Sequence, residues 1–188
     1  SILFIQFPPL AKNVLTADKA TASLFLGVFS IGIAIGSVAV NRLLKGEVSA
    51  RYSKASVLVM AGFVVAFHFV CRIWPAKAEG LYSLTEVLTQ PMAAPLLLTL
   101  LGIAVAGGMF VVPLYAFLTT TVAKSAAART IAANNIVNSL AMVAGSLVAL
   151  GLSAAGVEVV NQLLLSAAMC LVSAWLATLL HRAEIAKH

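Results

Sequence analysis

The sequence predicts an all-α integral membrane protein: a bundle of five full transmembrane helices behind a truncated opening helix. Three observations predict it. Of 188 residues, 62% are apolar, against about 45–50% in an ordinary soluble domain. Only 10% are charged, where about 25% is usual. Mean hydropathy is +1.05, too high for a surface that faces water. Together these exclude a soluble enzyme, a disordered chain and a disulfide-stapled secreted module. The net charge of +6 does not point to nucleic acid, because a nucleic-acid binder gathers its bases on a patch or stripe. Here Lys and Arg fall between apolar runs, where they orient a chain in a bilayer. Two cysteines in a chain of this length form no disulfide framework. Cys71 lies near the end of one run and Cys170 in the middle of another, so both read as small packing residues at different depths.

The elements follow in order. The opening, residues 1–10, holds an apolar stretch from Ile2 to Phe7 and then Pro8-Pro9. That is far short of the roughly 20 helical residues that cross a hydrocarbon core. It reads as the second half of a cut helix, helical only in part and poorly anchored, and the chain as a fragment. Five runs follow at Thr21–Leu44, Ser56–Trp74, Ala94–Leu118, Thr130–Leu152 and Val157–Leu180. Each has about 19–25 residues, enough at about 1.5 Å per residue for a core about 30 Å thick. Helix is the reading, because an open strand edge leaves backbone groups unsatisfied in lipid. None of the runs alternates as a barrel strand must. Between the second and third runs, Leu81, Leu84, Val87 and Leu88 recur at near-helical spacing beside Glu79, Thr85 and Glu86. A short helix in the membrane interface and a plain linker suit that segment about equally.

Loop charge sets orientation. Arg42, Lys45, Arg51 and Lys54 follow the first full run; Lys124 and Arg129 precede the fourth; Arg182 and Lys187 follow the fifth. These alternate loops share one side, which gathers eight basic residues. The other side has Lys12, Lys19, Arg72 and Lys77, offset by Asp18, Glu79, Glu86 and Glu158. The positive-inside bias places the first set, and with it the C-terminus, in the cytoplasm.

The interior of the runs narrows the chemistry. No Asp, Glu, Lys or Arg sits in the central part of any full run, whereas ion-coupled carriers usually keep a carboxylate near midplane. His68 is the one titratable group well inside a run. With no acidic partner in sequence it reads as a neutral histidine bonded to a neighbouring helix rather than a proton relay. His68, His181 and His188 are scattered and lack Cys or carboxylate neighbours at ligand spacing, so no metal site is expected. No nucleophile triad, Walker loop or dinucleotide fingerprint is present. The expectation is a non-enzyme with no cofactor and no catalytic residue.

Two clusters stand out. Asn134, Asn135 and Asn138 open the fourth run, and Asn134 and Asn138, four apart, share one helix face. An unsatisfied amide in hydrocarbon costs several kcal/mol, so these side chains must meet protein or water. They line a substrate path or bond neighbouring helices; both readings stand. In the third run Gly107-Gly108 lies near the midpoint and Pro113 five residues on, a pairing expected to break or kink the helix and a pointer to substrate sites in carriers. Tyr115 follows, either offering its hydroxyl to a head group or sitting in an interfacial aromatic belt. Gly32 and Gly36, continued by Ser37, and Ala141, Gly145 and Ala149, are small residues spaced for close helix approach.

Six spans with both ends inside and a basic loop from Asn41-Arg42-Leu43-Leu44-Lys45-Gly46 to Lys54 resemble the C-terminal half of a twelve-helix major facilitator superfamily carrier. The segments Leu24–Ser37, Gly107–Ala116 and Arg129–Asn138 resemble lysophospholipid transporters. They look closest to the transporter portion that some bacteria fuse to an acyltransferase and acyl-carrier-protein synthetase. The resemblance covers nearly the whole chain. It implies a carrier in the bacterial inner membrane that returns lysophospholipid, chiefly lysophosphatidylethanolamine, to the cytoplasmic leaflet for re-acylation. It also implies an N-terminal transporter half as partner. An exporter of apolar small molecules and a non-transporting scaffold are the other classes that the composition fits. The orientation is open to test with single introduced cysteines and an impermeant thiol reagent. Positions 45 and 124 are expected to label from the cytoplasm, and positions 77 and 158 from outside.

Overall fold

A computed structural model describes residues 2–44, 52–75, 77, 80–120 and 124–185. Among them the regular structure is helical: α1 (Ile2–Asn13), α2 (Lys19–Leu43), α3 (Ser53–Arg72), α4 (Leu84–Thr89), α5 (Ala93–Thr120), α6 (Lys124–Ala154) and α7 (Val159–Ile185). Four of these are long and apolar enough to cross a membrane, α2, α3, α5 and α6. The fifth expected span lies in α7, which is helical from Val159 to Ile185 and whose described apolar part is Val159–Trp175. Its start is set by Gly156, whose φ of 82° ends the preceding turn and keeps Val157 and Glu158 out of the helix.

Three local outcomes differ from the sequence reading. α1 does not stop at Pro8-Pro9 but continues to Asn13. Leu10 and Ala11, just past the pair, are fully buried, as is Leu15 beyond the helix end, so packing holds the segment where the prolines remove two backbone donors. α5 runs unbroken through Gly107-Gly108 and Pro113. α6 begins six residues before the apolar run does, at Lys124, because hydropathy marks the depth of the bilayer and not the end of a helix. The basic residues Lys45, Arg51 and Lys187, and Glu79, lie outside the described residues.

One end of the bundle is capped. Asp18 is the N-cap of α2, its carboxylate accepting from the Thr21 amide at 3.1 Å and the Thr21 hydroxyl at 3.2 Å. Such caps contribute about 1 kcal/mol. The next backbone residues tie to the segment after α3: the Asp18 amide donates to the Tyr82 carbonyl and the Tyr82 amide to the Thr16 carbonyl. The Trp74 indole donates to the Leu15 carbonyl at 3.2 Å. α4 is the short helix that the 75–91 segment allowed, closed by a capping box in which Ser83 and Glu86 satisfy each other's amides. Lys77 reaches the same carboxylate at 2.9 Å. Its ammonium and the Ser83 amide pull Glu86 down to about 2. The contribution of this pair is therefore present above the ordinary glutamate value and lost as pH falls toward 2. Being on an exposed carboxylate, it is small. Asn13, Arg72, Trp74 and Glu158 border one cleft at this end, so the turns α1–α2, α3–α5 and α6–α7 lie together, as alternate loops should.

α5 is the hub. It packs most extensively on α2 and α3, and α3 in turn on α7. Phe25, Phe67, Leu96, Leu100, Ile103 and Leu163 are fully buried in the shared core. The α2–α5 crossing is close because both helices present glycine. A Cβ on Gly32 would lie 2.5 Å from the Ala104 methyl, one on Gly108 2.5 Å from the Ile33 carbonyl oxygen, and one on Gly36 would strike the Val105 carbonyl. Gly32 and Gly36 thus do what their spacing predicts. Gly108, read as a helix-breaker, corrects to a packing residue of the same contact. Gly27, on the same helix, faces open space. Replacing Gly36 with Leu is expected to lower stability by at least about 2 kcal/mol through overpacking. Gly27→Ala is expected to leave it unchanged or raise it by up to about 1 kcal/mol through helix propensity. Thermal melts of the purified protein in detergent read both.

Candidate functional site

α6 is the least enclosed long helix: of its described residues only Gly145 is buried. Its sides nonetheless differ. Ile136, Leu140, Val143, Leu147 and Leu150 recur at helical spacing and are 58–68% exposed, an apolar stripe suited to lipid or a partner helix. Asn134, Val137, Asn138 and Ala141 lie at i, i+3, i+4 and i+7 on another side, and there they line a cleft of about 540 Å³ against α5. Val111, Leu114 and Tyr115 of α5 form the facing wall, and Asn135 completes the α6 side.

The four residues singled out as path candidates, Asn134, Asn135, Asn138 and Tyr115, therefore converge on one cleft. They come from two helices, with Tyr115 nineteen to twenty-three residues before the asparagines. Three amides and a phenol give this pocket neutral donors and acceptors with no fixed charge among the described lining residues. Such a surface can hydrogen-bond phosphate, glycerol or amine groups without the desolvation penalty of a buried ion. Tyr115 is 42% exposed and opens onto this cleft. Of the small residues of α6, Ala141 is exposed and lines the cleft.

Gly107 and Gly108 part company. Gly108 seats α5 against α2, whereas a Cβ on Gly107 would meet only the Met60 sulfur, at 3.6 Å. Gly107 faces a second cavity, of about 380 Å³, lined by α2, α3, α5 and α7 and open on one side. Pro113 is buried in α5, and it leaves the Met109 carbonyl without its usual backbone donor one turn later.

His68 is 2% exposed, and its Nδ1 lies 2.8 Å from the Val160 carbonyl oxygen of α7. A carbonyl only accepts, so Nδ1 carries the proton and the ring bonds a neighbouring helix, as the sequence suggested. Gln162, two residues beyond Val160, is buried and donates to Ser153 at 2.8 Å and to the Val157 carbonyl at 3.2 Å. These two residues fasten the start of α7 to α3 and to the end of α6. Gln162 was missed, although a glutamine inside an apolar run is the kind of signal that marked the asparagines. Both cysteines are buried and unpaired. Cys71 joins the main core and Cys170 a smaller cluster with Val57, Ala61 and Ala174. Among the described residues no three His, Cys, Asp or Glu gather as metal ligands would.

No family model, curated protein or solved structure matches this chain. The site's reading rests on its own residues.

The role of His68 is separable from the cleft. His68→Leu leaves the Val160 carbonyl unpaired and is expected to lower stability by about 1–3 kcal/mol. Thermal melts and detergent-stable yield of the purified variant measure the effect.

Proposed function

We propose that this chain is half of a secondary membrane carrier that moves lysophospholipid, in the first place lysophosphatidylethanolamine, toward the cytoplasmic leaflet of the bacterial inner membrane. The single observation that carries the reading is the convergence of Asn134, Asn135, Asn138 and Tyr115 on one cleft of an otherwise apolar helical bundle. A phospholipid with one acyl chain needs an apolar route and a few neutral hydrogen-bonding groups for its head, and this combination supplies both. The absence of charge from the centres of the runs suits a zwitterionic cargo better than an ion-coupled solute, and coupling then falls to another part of the carrier. We read the bundle as the C-terminal half of a major facilitator-type protein with five spans and a cytoplasmic C-terminus. The exposed apolar stripe of α6 is available to its other half or to lipid. A fused or separate acyltransferase/acyl-carrier-protein synthetase would consume the cargo. This is transport rather than catalysis, with no cofactor.

An exporter of apolar small molecules is the second reading. It is favoured by the apolar lining of the cavity beside Gly107 and disfavoured by the amides. Uptake of radiolabelled lysophosphatidylethanolamine against efflux of an apolar dye, both in the intact carrier, separates the two. Asn138→Leu keeps the bulk and removes donor and acceptor. It is expected to slow lysolipid uptake about five- to thirtyfold, one hydrogen bond's worth of about 1–2 kcal/mol, with folded yield unchanged. Normal turnover with poor yield would make the asparagines helix glue instead.

A further inference from the structure

The cavity beside Gly107 is not explained by packing alone. Phe29, Met60, Ile103, Gly107 and Cys170 give it an apolar wall, and Ser166 of α7 carries its one hydroxyl. Ser166 is 9% exposed, and its Oγ has no hydrogen-bond partner among the described residues. A buried hydroxyl is rarely left so, and removal from water without a partner is unfavourable. The cavity exists because position 107 has no side chain: space remains between Gly107 and Met60, and methionine is a flexible, polarisable wall that adapts to what enters. Its 380 Å³ lies within the usual range of ligand sites, about 300–1,000 Å³. Val111 lines both this cavity and the asparagine cleft, so a polar and an apolar chamber adjoin across a single side chain.

We propose that the cavity between α2, α3, α5 and α7 seats the acyl chain of a single-chain phospholipid while the head group occupies the asparagine cleft beyond Val111. This rests on the lysophospholipid reading and adds to it where the chain goes. The geometry gives the chain an apolar chamber that adjoins the head-group cleft across Val111. It also explains why Gly107 and Gly108 differ in surroundings: one opens the cavity and the other closes the helix contact.

Cys170 on the cavity wall and Cys71 outside it provide a native reporter and its internal control. The intact carrier in diacylphospholipid nanodiscs is treated with N-ethylmaleimide, and the two sites are followed separately by mass spectrometry. Palmitoyl-lysophosphatidylethanolamine is expected to slow alkylation of Cys170 at least fivefold and leave Cys71 unchanged; glycerophosphoethanolamine, which lacks the chain, is expected to slow neither. Gly107→Leu fills the cavity and is expected to abolish protection in protein that still melts cooperatively. Uptake kinetics give the second measurement, which does not depend on the thiol's reactivity: Gly107→Leu is expected to raise KM for palmitoyl lysolipid at least tenfold and for the octanoyl analogue less than threefold. Equal KM changes for both chain lengths, or protection of Cys170 by glycerophosphoethanolamine, would overturn the chain assignment. Saturable uptake that Asn138→Leu impairs and Gly107→Leu leaves intact would overturn it alone and spare the transport reading. Loss of all lysolipid uptake in the parent carrier would remove both.

Discussion

Contact between the backbones of α2 and α5 is the interaction on which the remaining architecture depends. Gly36 lies against the Val105 carbonyl and Gly108 against that of Ile33, so neither helix can move away or rotate without opening the core. In a membrane no hydrophobic force drives such contact, and close van der Waals approach has to supply it. Once α5 is fixed there, its other sides are fixed as well. One meets α3 through Gly102 and the Phe63 ring, one presents Gly107 to the apolar cavity, and one turns Tyr115 toward α6. The functional surfaces are thus consequences of a glycine contact that borders the apolar cavity through Gly108 and Ile33 and lies outside the asparagine cleft.

The second constraint concerns the amide. An asparagine cannot rest against hydrocarbon, yet α6 carries three within five residues and is scarcely enclosed by the bundle. The structure resolves the conflict by sorting the helix: amides toward the α5 cleft, the stripe from Ile136 to Leu150 away from it. The outer cap, with Asp18, the Thr16–Tyr82 backbone bonds and the Lys77–Glu86 pair, ties α1, α2 and the α3–α5 connection together and leaves α6 out. The most exposed long helix is also the one bearing the polar site.

Much of this was legible in the residues. Run lengths marked the long helices because a bilayer demands about 20 apolar residues and almost nothing else in a sequence does. Gly32 and Gly36 read correctly because small residues four apart have few other uses in a span. His68 read correctly because no acid stood near enough in sequence to make it a relay. The misreadings share a cause. Gly107-Gly108 and Pro8-Pro9 were taken at their local propensity, and propensity is silent about neighbours: Gly108 has α2 pressed against it, and α1 is held past its prolines by the burial of Leu10 and Ala11. Ser166 left no trace at all, because a lone serine among Ala, Leu and Met matters only when a cavity forms beside it. Likewise each asparagine was visible singly, but their convergence with Tyr115 depends on the crossing of two helices and is a property of the fold.

The account stands on the asparagine cleft being wet and occupied by cargo in the assembled carrier. Reactivity of single introduced cysteines toward a charged, water-soluble thiosulfonate measures this directly. Asn138→Cys and Asn134→Cys are expected to react in membranes and to be slowed by lysophosphatidylethanolamine. Leu140→Cys, on the apolar stripe, is expected to stay unreactive whether or not the lipid is added. Unreactive thiols at 134 and 138, or reaction there that the lysolipid leaves untouched, would contradict the account.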